Sequence, residues 1–131
     1  MNSPYSIYQQ SSVQTASGSQ LLIMLYEGAI RFTKSGIEGI NNRNYEAANT
    51  NLKKAQAIVN ELIASLDTKY EIANDLLRIY EYMLHLLIQA NVKKEASKAA
   101  EVLEHLSELR DAWKQAAKQT AGTLMKEAGS I

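Results

Sequence analysis

Proline is absent after Pro4, so helices in the rest of the chain are not interrupted by proline. Four segments have apolar residues that recur at alternating steps of three and four positions. These four stripes run through residues 22–36, 45–66, 73–90 and 99–116. Such spacing places each set on one face of an α-helix, and that face has to be buried against other helices. No segment alternates apolar and polar residues with a period of two, so the sequence predicts an all-α fold.

Short polar breaks separate the four predicted helices. They are "NNRN" at 41–44, "DTK" at 67–69 and "NVKK" at 91–94. Ser17 followed by Gln20 fits a capping box at the start of the first helix. Connections this short favour antiparallel neighbours. The sequence therefore predicts an antiparallel up-down-up-down four-helix bundle.

The two ends of the chain lie outside the helical rhythm. Residues 1–16 are polar with a few large apolar side chains, and we expect them to form an extended, mobile N-terminal segment. Residues 119–131 include two glycines and are expected to be a flexible C-terminal tail. The four-helix bundle is accordingly predicted to span residues 17–118.

Composition excludes two classes of partner. The chain has 14 basic and 14 acidic residues and no block of like charge, so we predict no nucleic-acid binding. Its most apolar run, residues 21–26, is far shorter than the roughly 20 residues of a spanning helix, so we predict no stable membrane insertion. The polar, aromatic start lacks the layout of a signal peptide, which favours a cytoplasmic protein.

The two histidines are the candidates for metal binding or phosphotransfer in a bundle of this size. A di-iron site would need Glu-x-x-His pairs, but His85 follows Glu81 by four residues, and His105 follows Glu101 and Glu104 by four and one. A phosphotransfer bundle would use one exposed histidine, and neither histidine is followed by the Lys-Gly pair usual in such domains. The sequence also lacks a glycine-rich phosphate loop and a nucleophile elbow. We therefore predict that the protein is not an enzyme and binds neither a cofactor nor a metal. We interpret both histidines as solvated residues of helix faces.

The first and third helices carry more apolar surface than two neighbouring helices normally cover. Their apolar arcs are roughly 200° wide, against roughly 140° for the second and fourth helices. One interpretation is that these helices are buried more deeply, with the N-terminal segment lying over the surplus. The other is a groove for an amphipathic helix of another chain, because contiguous exposed apolar surface usually marks an interaction site. The predicted groove residues are Ile23, Tyr26, Ile30, Leu77, Ile79, Tyr82, Leu84, Leu86 and Ile88.

Four stretches of the sequence carry a family resemblance. They are "PYSIYQQSSVQTAS" from residue 4, "LLIMLYEGAIRF" from residue 21, "YEYMLHLLIQAN" from residue 80 and "RDAWKQA" from residue 110. In combination they resemble the bacterial flagellin export chaperone family, FliS, over about residues 4–118. The resemblance implies a four-helix chaperone without ATPase activity. Such a chaperone binds the C-terminal segment of flagellin, prevents its premature polymerisation and delivers it to the flagellar type III export gate.

The resemblance also suggests a role for the N-terminal aromatic residues. Tyr8, with Tyr5 three residues earlier, is similar to the family's aromatic contact with the cytoplasmic domain of the export gate component FlhA. We expect Tyr5, Ile7 and Tyr8 to shield the groove when it is empty and to dock on the gate. Trp113 lies on the apolar stripe of the fourth helix and is expected in the core. The alternative function is a helical adaptor that self-associates through the surplus surface and has no flagellin cargo.

Overall fold

The computed structural model describes the backbone of residues 18–129 and the side chains of residues 18–119. It contains four α-helices, numbered here α1 (Gly18–Asn41), α2 (Tyr45–Ala64), α3 (Ile72–Lys93) and α4 (Ala96–Gly129). No strand occurs in the described range, and the predicted all-α class is confirmed. No helix in this range has the length and apolar character that crossing a membrane requires.

Each helix packs against two others. Both α1 and α3 pack against α2 and α4, so α1 and α3 lie diagonally across the bundle. The short connections reverse the chain between successive helices, which confirms the predicted four-helix bundle. Residues of the four predicted stripes meet in one core. Its largest fully buried side chains include Leu52, Val59, Leu62, Met83, Leu87, Val102 and Leu106.

Two glycines of α1 allow a close approach to α2. A Cβ atom on Gly39 would lie 2.8 Å from the backbone nitrogen of Ala48. A Cβ atom on Gly36 would lie 2.6 Å from a methyl carbon of Leu52. Both distances are shorter than van der Waals contact, so α1 and α2 can pack at this separation only if these positions have no side chain.

The first turn of the bundle lies where the sequence predicts a break. Asn44 caps α2, because its side-chain oxygen accepts a hydrogen bond from the backbone N–H of Ala47 at 3.2 Å. Arg43 takes the left-handed conformation that the tight reversal requires, with φ of 58°. Ser17, the predicted cap of α1, lies outside the described residues.

The third predicted break, residues 91–94, is mostly helical, because α3 continues to Lys93. Asn91 is buried, and its side-chain amide donates a hydrogen bond to the side-chain oxygen of Asn49 on α2 at 2.8 Å. Lys94 then takes the left-handed conformation, and its ammonium donates to the side-chain oxygen of Asn91 at 2.6 Å. Asn91 therefore links α3 to α2, a role that its polar character alone does not reveal.

Helix α4 continues beyond the predicted end of the bundle at residue 118. Its backbone is helical to Gly129. The flexibility that composition predicts for residues 119–131 stays a prediction. Lys114 on α4 pairs with Glu27 on α1, with 3.0 Å between the ammonium nitrogen and the carboxylate oxygen. This register and the antiparallel direction of the two helices mean that the end of α4 runs past the beginning of α1.

Candidate functional site

Helix α3 carries most of the large apolar side chains that the described residues expose. Five of them are on this helix, and their spacing places them on both flanks of its buried face. The exposed fractions are 58% for Ile72, 37% for Ile79, 46% for Tyr82, 44% for Ile88 and 77% for Val92. Part of the surplus apolar surface predicted for the third helix therefore lies at the surface.

One flank of α3 opens into a groove beside α4, which we call the α3–α4 groove. Its volume is about 390 Å³. It is lined by Arg78, Ile79 and Tyr82 of α3 and by His105, Glu108 and Leu109 of α4. Two of the predicted groove residues, Ile79 and Tyr82, meet in this space.

A polar contact fixes Tyr82 at the edge of the α3–α4 groove. Its hydroxyl donates a hydrogen bond to a carboxylate oxygen of Glu101 at 2.5 Å, and a ring nitrogen of His105 lies 3.3 Å from the same oxygen. The bond from Tyr82, and after it the contact with His105, lowers the pKa of Glu101. Because folding lowers the pKa of Glu101, the stabilisation that this bond contributes is fully present above the ordinary carboxyl pKa. It is lost as the pH falls through the lowered pKa. The same bond raises the pKa of Tyr82.

The other flank of α3 faces α2. Asn91 reaches Asn49 on α2, and Ile88 lies one helical turn before Asn91, on the same side of α3. Ile88 is exposed, whereas Leu77 and Leu84 on this flank are half-buried. Ile88 is therefore the most accessible of the three apolar side chains on this flank.

Three predicted groove residues lie in the core. Tyr26 is 0% exposed, Ile30 4% and Leu86 5%, so the expectation that they form open groove surface has to be corrected. Tyr26 contacts Trp113 on α4, and Ile30, four residues later, lies on the same face of α1. Helix α4 therefore covers this flank of α1. Ile23, near the start of α1, remains half-buried.

A chain of hydrogen bonds satisfies the hydroxyl group of the buried Tyr26. Its hydroxyl bonds to the hydroxyl of Tyr80 on the diagonal helix α3. The indole N–H of Trp113 on α4 donates to the same Tyr26 oxygen at 3.2 Å. Burial raises the pKa of both tyrosines, so both hydroxyls stay protonated at neutral pH. Trp113 itself is half-buried and packs against the core, close to its predicted place.

A second apolar groove opens at the end of the bundle where α1 and α3 begin and α2 ends; we call it the end groove. Its volume is about 460 Å³. Its lining comes from all four helices and from the α2–α3 connection: Gly18, Leu21, Leu22, Leu25, Glu61, Ser65, Leu66, Asp67, Tyr70, Ile72, Ala73, Leu76, Tyr80 and Trp113.

Sequence reasoning missed the end groove. It forms where α1 and α3 begin and α2 ends, and periodicity within one helix cannot reveal a space that several helices share. The available signal was the pair Leu21 and Tyr70, two apolar residues outside the stripes and next to helix ends. Because Gly18 lines the groove, the chain enters the bundle at its rim. Tyr5, Ile7 and Tyr8 belong to the preceding part, which lies outside the described residues.

The histidines do not form part of a metal cluster within the described part of the chain. No group of three or more histidine, aspartate or glutamate side chains is arranged there to hold an ion. His85 is exposed on α3, and His105 is half-buried beside Tyr82, with the two rings edge to face at 6.1 Å. His105 is thus a wall residue of the α3–α4 groove.

Comparisons with known proteins point to one family. The family model described as Flagellar protein FliS matches residues 1–120. A flagellar secretion chaperone FliS of Bacillus subtilis is 40% identical over 116 residues, which cover 88% of this chain and 87% of that protein. Its counterpart from Escherichia coli is 33% identical over 109 residues, covering 81% and 80% respectively. A crystal structure of a bacterial flagellar chaperone superposes with a TM-score of 0.74 at 20% identity, covering 88% of this chain and 95% of that one.

Proposed function

This chain belongs to the FliS family of flagellar proteins, and we propose that it acts in the cytoplasm as a secretion chaperone for flagellin. In this role it binds the C-terminal segment of flagellin, prevents premature polymerisation and delivers the subunit to the export gate. The relatives named above are flagellar secretion chaperones, a role that needs neither a catalytic step nor a cofactor.

The observation that carries the proposal is the exposed apolar surface of α3. An amphipathic helix binds by laying its apolar face into such a groove. The α3–α4 groove offers Ile79 and Leu109 as apolar contacts, and the hydroxyl of Tyr82 is held at its edge by Glu101. A flagellin segment that becomes helical only on binding loses conformational entropy, which offsets part of the contact energy and keeps the complex reversible.

Titration with the C-terminal segment of the flagellin from the same organism tests the proposal. We expect a one-to-one complex by light scattering and an increase in helical circular dichroism beyond the sum of the two free components. A stable homo-oligomer that ignores the segment would contradict the chaperone function and support the self-associating adaptor instead.

We further propose that Tyr5, Ile7 and Tyr8 cover apolar surface of the empty chaperone and dock on the cytoplasmic domain of FlhA once cargo is bound. The position of Gly18, which comes just after the N-terminal segment, supports the proposal, since Gly18 lines the end groove. Replacing Tyr8 with alanine should leave flagellin affinity within about twofold and should weaken FlhA binding of the cargo complex. Equal losses for both partners, measured by calorimetry, would contradict separate roles.

A further inference from the structure

The α3–α4 groove carries opposite charges on its two walls. Besides His105, its charged lining residues are Arg78 on α3 and Glu108 on α4, and both side chains are exposed. Among the described side chains no ion pair includes either of them, although Asp75 and Glu81 lie three residues before and after Arg78. An apolar groove therefore holds two unpaired charges of opposite sign.

The side chains outside the described range offer no partner near these two charges. These side chains, of residues 1–17 and 120–131, include two that are charged, Lys126 and Glu127. Both positions belong to the end of α4, roughly 27 Å or more beyond Glu108 at about 1.5 Å per residue. A binding partner can therefore supply the complementary charges.

Arg78 and Glu108 lie opposite each other across the groove. Tyr82 on α3 contacts both Glu101 and His105 on α4, which sets the level of the two helices. The helices run antiparallel, so Arg78, one turn before Tyr82, lies at the level just after His105. Glu108 is at this level on the other wall.

The groove is closed at one end and open at the other. The hydrogen bond from the Tyr82 hydroxyl to Glu101 crosses from one wall to the other. Leu86, one turn after Tyr82, is only 5% exposed, whereas Ile79, three residues before it, is 37% exposed. A bound segment would therefore extend from Tyr82 toward the start of α3, with one flank against α3 and the other against α4.

We propose that the α3–α4 groove receives an amphipathic helix of the export cargo that places a carboxylate over Arg78 and a lysine or arginine over Glu108. The apolar face of this helix packs on Ile79 and Leu109 between the two charges. This inference rests on the proposed chaperone function, and it specifies the charge pattern and the direction of the cargo segment.

The two charges fix the direction of the segment because they lie across the groove. A helix that keeps its apolar face on the groove can reverse only by a half-turn about an axis perpendicular to the groove. That half-turn exchanges its two flanks, so its carboxylate would face Glu108 and its cation would face Arg78. Repulsion on both walls disfavours the reversed helix, and the attraction on both walls selects the other direction.

The test neutralises each wall separately in the full-length chaperone with Arg78→Gln and with Glu108→Gln. Both side chains are exposed and unpaired, so the fold should be unchanged. The probe is the flagellin C-terminal segment, titrated by calorimetry at low salt. We expect each variant to bind about threefold more weakly, as for the loss of one exposed ion pair. The differences should vanish at about 0.5 M salt, where exposed charges are screened.

The signs of the two effects separate specific contacts from a general influence of net charge. One substitution lowers the net charge and the other raises it, so a general effect would weaken one complex and strengthen the other. Lys34→Gln on α1 and Glu104→Gln on α4 are the matched controls. They change the net charge in the same two ways at exposed positions that do not line the groove, and both should bind as the native protein does.

Substitutions in the cargo complete the test. Each acidic residue of the flagellin segment is changed to its amide, and each lysine or arginine to glutamine. One acidic residue should contribute to binding only where Arg78 is intact, and one cation only where Glu108 is intact, as double-mutant cycles measure.

Native affinity of either chaperone variant would overturn the inference and leave the proposed function intact. Effects of opposite sign, or cargo charges that couple to neither wall, would overturn it in the same way. Absence of any flagellin binding by the native chaperone would instead overturn the proposed function.

Discussion

Replacing Gly39 with leucine is expected to lower the free energy of unfolding by about 3 kcal/mol, at the upper end of the cost of overpacking. The new Cβ atom would lie 2.8 Å from the backbone nitrogen of Ala48 and 3.0 Å from its Cα atom. No side-chain rotamer relieves this clash, because the position of a Cβ atom is fixed by the backbone. Helices α1 and α2 would have to separate, and the core between them would open.

Thermal unfolding followed by circular dichroism measures the effect, and a loss of about 12 °C in Tm is expected from the usual relation between stability and Tm. Gly18→Ala is the matched control, because a Cβ atom at that position meets nothing within 4 Å. The control should unfold at or slightly above the native temperature, since alanine favours the helix more than glycine does. An unfolding temperature of the Gly39 variant equal to that of the control would contradict the close packing of α1 and α2.

The helices were predictable because their signal is local. An apolar stripe and a polar break depend only on neighbouring residues, so the segments from Tyr45, Ile72 and Ala96 begin within a few residues of the expected places. At its C-terminal end α4 continues to Gly129, since each glycine costs a helix only about 1 kcal/mol. The flexibility predicted for residues 119–131 stays a prediction.

Exposure was less predictable, because it depends on which helices become neighbours. The wide apolar arcs of the first and third helices look alike in sequence. Yet Tyr26 and Ile30 of α1 are buried, whereas Ile79 and Ile88 of α3 are exposed. Gly39 brings α2 close to one side of α1, and α4 covers the other side through Trp113. Such pairings join residues far apart in the chain, so periodicity within one helix carries no information about them.

Leu86 shows the same limit within a single helix. Ile79 lies two helical turns before Leu86, on the same flank of α3. Leu86 is nevertheless only 5% exposed. The flank is closed near the α3–α4 turn, where the two helices are joined by a short connection, and opens toward the start of α3. The exposed members of the predicted groove are therefore Ile79, Tyr82 and Ile88.

Changing Ile79 to lysine is expected to weaken binding of the flagellin C-terminal segment about tenfold or more. Full burial of an isoleucine side chain contributes on the order of 1.5 to 3 kcal/mol, and Ile79, 37% exposed, can gain about a third of that on binding. The cost of desolvating the lysine ammonium adds to this loss, and each 1.4 kcal/mol changes a dissociation constant tenfold. The fold itself should lose less than about 1 kcal/mol, because Ile79 is already 37% exposed and lysine is a good helix former. Calorimetric titration measures the affinity, and thermal unfolding verifies the fold.

Two further variants decide which flank of α3 holds the segment. Ala57→Lys, at an exposed position on the outer face of α2, introduces the same side chain away from both flanks and should bind flagellin normally. Ile88→Lys places the charge on the flank that faces α2, where Leu77 and Leu84 are half-buried, and a smaller loss is expected there. A large loss for Ile88→Lys with none for Ile79→Lys would move the cargo to the α2 side. Normal binding by both variants would exclude α3 as the seat of the segment, because a lysine cannot be buried in an apolar contact without a cost in affinity.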